Sequence, residues 1–94
     1  MPAVIRLGDM TCGHCYYPIP LSGASSDVFV NGIAVGRIGD NYPPHKCGNN
    51  VHQGNQSGGS STVFVNGIAV GRIGDSLSCG DTCAQGSSDV FAGG

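Results

Sequence analysis

Ninety-four residues with a mass of 9.5 kDa allow one small domain, spanning 1–94, with a thin core. Four basic residues against six acidic ones give a formal charge of −2. Arg6, Arg37, Lys46 and Arg72 are too few and too scattered to neutralise phosphates, which excludes ordinary nucleic-acid binding. Charged residues are 11% of the chain and no apolar run approaches the ~18 residues of a membrane-spanning helix, so neither charged disorder nor a transmembrane helix is expected.

The N-terminus, Met1-Pro2-Ala3-Val4-Ile5-Arg6, lacks a charged n-region and an apolar h-region, so synthesis in the cytoplasm without a secretory signal is expected. Arg6-Leu7-Gly8-Asp9 follows, and then residues 10–24, rich in Gly, Pro and Ser, read as a loop. Residues 28–40 read Val-Phe-Val-Asn-Gly-Ile-Ala-Val-Gly-Arg-Ile-Gly-Asp, behind Ser25-Ser26-Asp27. The short β-branched and aromatic runs flanking Asn31-Gly32 predict a hairpin, because that dipeptide accepts the positive φ a tight turn demands at both central positions. Residues 41–59 read as a second loop. All thirteen letters of 28–40 then recur at 63–75, behind Ser60-Ser61-Thr62, with the turn at Asn66-Gly67. Gly36, Gly39, Gly71 and Gly74 predict bends or close backbone approach. Residues 76–86 read as a third loop, and no window carries a 3.6-residue apolar period, so little or no helix is expected.

A third copy of the phrase is split between the two ends. Ser87-Ser88-Asp89-Val90-Phe91 supplies its beginning and Arg6-Leu7-Gly8-Asp9 its end. The simplest physical reading is three quasi-equivalent units around an axis, at about 25–40, 60–75, and 87–94 joined with 3–9. Val90-Phe91 would then pair with Val4-Ile5, giving an all-β fold of short hairpins. Arg6, Arg37 and Arg72 stand at matching positions, and each is expected to pair with a carboxylate of a neighbouring unit such as Asp40, Asp75 or Asp9. Tyr16-Tyr17-Pro18 and Tyr42-Pro43-Pro44 are expected to pack beneath the loops.

The five cysteines, an odd number with no signal peptide, point to reduced thiols or metal ligands rather than a disulfide framework. His14 and His45 stand five residues after Asp9 and Asp40, and Cys79 four after Asp75, so three potential ligands fall at nearly one place in three units. His52, the remaining histidine, lies in the longest loop. Three imidazoles and a thiolate make a closed tetrahedral set suited to one structural zinc ion, which would supply stability that the small core lacks. A competing set, Cys12-x-x-Cys15 with Cys79-x-x-x-Cys83, resembles a zinc ribbon but ignores the repeat register. Cys12, Cys15, Cys47 and Cys83 otherwise read as reduced thiols or packing residues.

The phrase Asn-Gly-Ile-Ala-Val-Gly-Arg-Ile-Gly-Asp, with Ser-Ser-x-Val-Phe before the hairpins and Cys79-Gly80 after the last full copy, resembles the PAAR-repeat family over nearly the whole chain. The naming motif departs from Pro-Ala-Ala-Arg, reading Ala34-Val35-Gly36-Arg37 and Ala69-Val70-Gly71-Arg72 here. The resemblance implies a small pseudo-threefold β-cone that caps the distal end of a contractile injection spike, in a type VI secretion system or a contractile phage tail. It implies one copy per trimeric β-helix, the partner being a valine-glycine repeat protein or a phage tail spike, and transient contact with a target membrane. It also implies a zinc ion near the apex, held at the positions of His14, His45, His52 and Cys79. A cap must cover the strand edges of its partner, and the apolar strands are the expected source of that base, with Val28, Val30, Val63, Val65 and Val90 as candidate contacts.

Two rival functions are weighed against this. A catalytic zinc keeps an open position and a nearby general base, but the chain has no glutamate, and four good ligands leave no vacancy, so no enzyme is expected. A zinc-ribbon module recruiting a protein partner is the alternative, yet a ribbon has no use for a thirteen-residue repeat. With no residues beyond the repeat units, no effector domain is expected.

Overall fold

The computed structural model describes residues 1–13, 17–47 and 50–93, without the side chains of Cys47, Asn50 and His52. The described chain is all-β, with no helix. Its strands are β1 (Phe29–Val30), β2 (Ile33–Ala34), β3 (His45–Cys47), β4 (Asn50–His52), β5 (Phe64–Val65) and β6 (Ile68–Ala69). They pair as three antiparallel hairpins, β1 with β2, β3 with β4 and β5 with β6. The two repeat hairpins turn where expected, with φ of 57° and 74° at Asn31-Gly32 and 56° and 75° at Asn66-Gly67.

The hairpin β3–β4 falls inside 41–59, which reads as a loop in the sequence. Its polar residues hide the strand pattern, and the turn signal between the two runs, Gly48-Asn49, is the feature that marks it.

Hydrogen bonds join the copies of the phrase in cyclic order. Ile5 N donates to Gly71 O at 3.0 Å, Gly71 N to Gly36 O at 2.9 Å, and Gly36 N to Ile5 O at 3.0 Å, which closes a ring. Around it, Leu7 N donates to Ala34 O, Ile38 N to Ala69 O, and Ile73 N to Ala3 O. The two ends of the chain pair as the split copy requires: Ala3 bridges Phe91, and Val4 N donates to Val90 O at 3.0 Å. Two apolar clusters lie along this arrangement. Val4, Val35, Val70 and Ala92 are buried beneath the repeat hairpins, while Ile5, Ile19, Leu21, Tyr42, Leu77 and Cys83 form the core under the loops.

Ile5 breaks the equivalence of the central ring, and the break is what fills the axis. A Cβ added at Gly36 would lie 2.5 Å from Leu21 Cδ2 and 2.8 Å from Ile5 Cγ1; one at Gly71 would lie 2.6 Å from Ile5 Cδ1. One isoleucine therefore occupies space that admits no second side chain. Gly36→Ala is expected to cost about 1–3 kcal/mol, as overpacked cores do. Ile5→Val in the same chain should recover part of that loss in denaturant melts. Two substitutions that simply add would contradict shared space at the axis.

The arginines differ from expectation. Each pairs with the aspartate three residues later in its own unit, Arg6 with Asp9 at 3.0 Å, Arg37 with Asp40 at 3.1 Å and Arg72 with Asp75 at 2.9 Å. Glycine at the third position, with φ of 88°, 91° and 88° at Gly8, Gly39 and Gly74, folds the carboxylate back onto the arginine's own N–H. The guanidinium does reach the next unit, but to a neutral acceptor: Arg6 to Asn31 Oδ1, Arg37 to Asn66 Oδ1, and Arg72 to Gly93 O.

Those asparagines also join neighbouring units through acids. Asn31 Nδ2 donates to Asp89 Oδ1 at 2.7 Å and Asn66 Nδ2 to Asp27 Oδ1 at 2.8 Å. The asparagine amides first, and then Ser25 and Ser87, hold both carboxyls below the ordinary aspartate value of 3.8. A depressed carboxyl contributes stability that is present above the unfolded-state value and lost as pH falls through the folded one. Acid titration followed by NMR should therefore shift the side-chain amides of Asn31 and Asn66 below pH 3.8, while Thr62, which stands where Asp27 and Asp89 do, stays still in that window. Equal movement at all three seams would refute this account.

Candidate metal centre

Each unit sends its chain from the Arg-x-Gly-Asp turn into a loop that returns to the same place. Leu21 N donates to Asp9 O, Gln56 N to Asp40 O and Cys83 N to Asp75 O, at 3.0, 2.9 and 2.9 Å. The returning side chains differ: Leu21 is apolar, whereas Gln56 and Cys83 form a buried polar pair closed by Tyr42. The Cys83 thiol and the Tyr42 hydroxyl both donate to Gln56 Oε1 at 3.0 Å. Burial pushes the Tyr42 hydroxyl and the Cys83 thiol up, so both stay protonated. Cys83 is thus a core donor with the character of a buried, unreactive thiol.

Cys79 packs against this core, and His45 lies on β3. The register of β3 and β4 sets His45 opposite His52. His45 is 8% exposed, and its Nδ1 lies 3.1 Å from Pro43 O. A carbonyl only accepts, so Nδ1 carries a proton there, and in the neutral ring that a metal requires the buried Nε2 would be the ligating atom.

Cys79 comes in from the third loop. Gly54, two residues after His52, is buried against it, and a Cβ at Gly54 would lie 2.7 Å from Cys79 Sγ. The glycine thus leaves room for the sulfur. Tyr42 N, three residues before His45, donates to Gly54 O at 2.9 Å and closes the base of the β3–β4 hairpin, while Ser78 N donates to Asn55 O at 2.8 Å and ties that hairpin to the turn that carries Cys79.

The first loop joins the same end. Cys12 N donates to Thr82 O at 2.9 Å, and Gly13 N donates to Asp81 Oδ2 at 3.2 Å. His14 follows Gly13 in the sequence and lies outside the described residues, as does the side chain of His52. Among the described residues no three His, Cys, Asp or Glu side chains come together. Of the four expected ligands, the backbone places His45, His52 and Cys79 on segments bonded to one another. The donor types fit zinc: imidazoles, with His45 oriented through its second nitrogen, and the half-buried Cys79 thiol.

The aromatic residues around this end divide. Tyr42 is 1% exposed and lies in the core, as expected, but Tyr17 is 80% exposed and Tyr16 lies outside the described residues. Ile19, at 5% exposure, is the apolar plug of the first loop in place of Tyr17. Tyr17 instead walls a cleft of about 490 Å³ shared with Met10, Pro43, His45 and Lys46.

The opposite cluster carries the apolar surface. Val28, Val30 and Val65 pack against the buried valines, and Val63 and Val90 are 39% and 37% exposed. The phenylalanines between them are more open: Phe29, Phe64 and Phe91 are 58%, 57% and 49% exposed. They are three copies of one repeat position, Phe29 on β1, Phe64 on β5 and Phe91 on the bridge to Ala3. No family model matches this chain, and no curated protein is significantly similar to it.

Proposed function

We propose that this protein is a structural spike tip, capping the distal end of a trimeric β-helix in a contractile injection machine and sharpening it for membrane piercing. The observation that carries this reading is the exposed phenylalanine set. One chain presents Phe29, Phe64 and Phe91 from three units hydrogen-bonded in cyclic order, so a single copy offers each of three identical partner chains the same contact. Exposed large aromatics at equivalent positions suit an interface better than solvent. A trimeric β-helix ends in unpaired strand edges that such a cap would cover.

At the other end, His14, His45, His52 and Cys79 would hold one structural zinc ion, which cross-links the three loops into a dense point. The zinc supplies closed tetrahedral coordination and no open site, so the proposal includes no enzymatic activity. The zinc-ribbon alternative needs Cys83 beside Cys12. The Cys83 thiol instead turns into the core toward Gln56 while Cys12 is exposed, which favours the histidine set.

The proposal assigns the protein to a phage tail or a type VI spike, made in the cytoplasm and delivered outward at the tip. Native mass spectrometry of the chain mixed with a trimeric β-helix spike protein is the test. One copy per trimer, with one zinc, is the expected result. A chain that remains alone beside a valine-glycine repeat trimer and a phage tail spike alike would overturn the reading.

A further inference from the structure

We infer that Asp81 is the positioning residue of the metal centre, holding the histidine-bearing first loop against the turn that carries Cys79. This rests on the zinc reading above.

The three loops place one residue each at the same hydrogen-bonding station: Thr11 N donates to Ile19 O, Tyr42 N to Gly54 O, and Leu77 N to Asp81 O. The side chains there are an isoleucine at 5% exposure, none at all, and a carboxylate at 2% exposure. An apolar side chain and an empty space are ordinary solutions for a buried position. A buried carboxylate is a costly one unless its oxygens are hydrogen-bonded.

Its two oxygens are divided between two segments. Oδ1 accepts from Thr82 N at 2.8 Å, within the third loop, and Oδ2 accepts from Gly13 N at 3.2 Å, across 68 residues of sequence. Cys12 N to Thr82 O, at 2.9 Å, is the parallel backbone tie. Cys79 lies two residues before Asp81 and His14 one residue after Gly13, so one carboxylate fixes the relative position of two segments that carry expected ligands.

Charge supports the same role. Three neutral imidazoles and one thiolate leave a bound zinc ion with a net charge of +1. A buried carboxylate beside the ligand loops offsets it, as anionic partners around metal sites commonly do. The role is positioning, through Gly13 and the Cys79 turn, rather than ligation.

The test compares wild type with Asp81→Asn. The isosteric amide has one acceptor oxygen and no charge, so it can satisfy Thr82 or Gly13 but not both. The variant should still load one zinc at saturating metal, yet release it to a chromogenic chelator about 10–100-fold faster, the usual cost of losing an outer-shell partner. The metal-free forms of the two proteins should melt within a few degrees of each other, which a purely structural defect would not allow. Release as slow as wild type would overturn the inference, and so would failure to load zinc at any concentration, which would make Asp81 a ligand. Should the variant not fold, hydrogen exchange on wild type decides. The Gly13 amide should be protected in the zinc-loaded protein, and free-peptide exchange there would refute the Asp81 bond. Wild type without zinc would sink the parent reading separately.

Discussion

Cys79→Ser should leave a chain that no longer retains zinc through a desalting column and whose loop end no longer melts with its hairpin end. The sulfur is the one thiolate in the expected set, and it alone brings the third loop to the metal. Structural zinc contributes an apparent ~10 kcal/mol or more in small zinc domains. That matches the entire stability of an ordinary domain, about 5–15 kcal/mol. Complete unfolding is nonetheless not the expected outcome. The buried Val4, Val35, Val70 and Ala92 and the central backbone ring of Ile5, Gly36 and Gly71 lie outside the loops and keep their contacts without metal. Hydrogen exchange on the variant should show the amides of Tyr42, Leu77 and Cys83 opening, while those of Val35 and Val70 remain protected. A strong chelator added to wild type should reproduce the pattern. If Cys79→Ser retained stoichiometric zinc, or if chelation changed neither region, the metal centre assigned to this end would be wrong.

How far the sequence reveals this arrangement depends on how the repeat encodes it. Thirteen identical residues at two places fixed the hairpins, their turns and the equivalence of their surroundings, because identical side chains seek identical partners. The split third copy made the pairing of the chain ends legible, and Ala3 does bridge Phe91. The same repetition misled where one copy departs from it. Ile5 stands where the others have Gly36 and Gly71, a departure that looks incidental until the axis is seen to hold one side chain only. The arginines invite pairing across units, but a glycine with positive φ brings each aspartate back to its own arginine, a local geometry that symmetry arguments overlook.

The loops were least legible. They return to equivalent stations over unequal lengths, from Asp9 to Leu21, Asp40 to Gln56 and Asp75 to Cys83, so counting from the turn aligns His14, His45 and Cys79 but loses register beyond them. The β3–β4 hairpin sits within that lost register. That Gly54 and Asp81 share a station with Ile19 is illegible for the same reason. Their significance comes from contacts with Cys79 and Gly13, which belong to the folded chain alone.

Replacing Phe29 and Phe64 together by serine should abolish capping while leaving the protein folded and its zinc in place. Both rings are more than half exposed, at 58% and 57%, so little packing is lost in the free protein, and exposed substitutions of this kind move stability by about 0.5 kcal/mol or less. Against a partner the same rings would be buried, where truncating a central aromatic typically costs about 2–4 kcal/mol. Two such losses weaken binding by about a thousandfold or more, since each 1.4 kcal/mol is roughly tenfold. A threefold partner makes the effect sharper than two isolated contacts would, because two of its three chains lose their contact and the cap is left held on one side through Phe91. Val51→Ser is the control. Val51 is 62% exposed but lies on β4 at the loop end, so its loss should not alter the complex. Titration of each variant against the trimeric spike, read by native mass spectrometry, separates the cases. A doubly substituted chain that still caps the trimer at wild-type concentrations would move the interface away from the hairpins. Loss of capping in Val51→Ser would place it at the loops, with the metal centre facing the partner instead of the membrane.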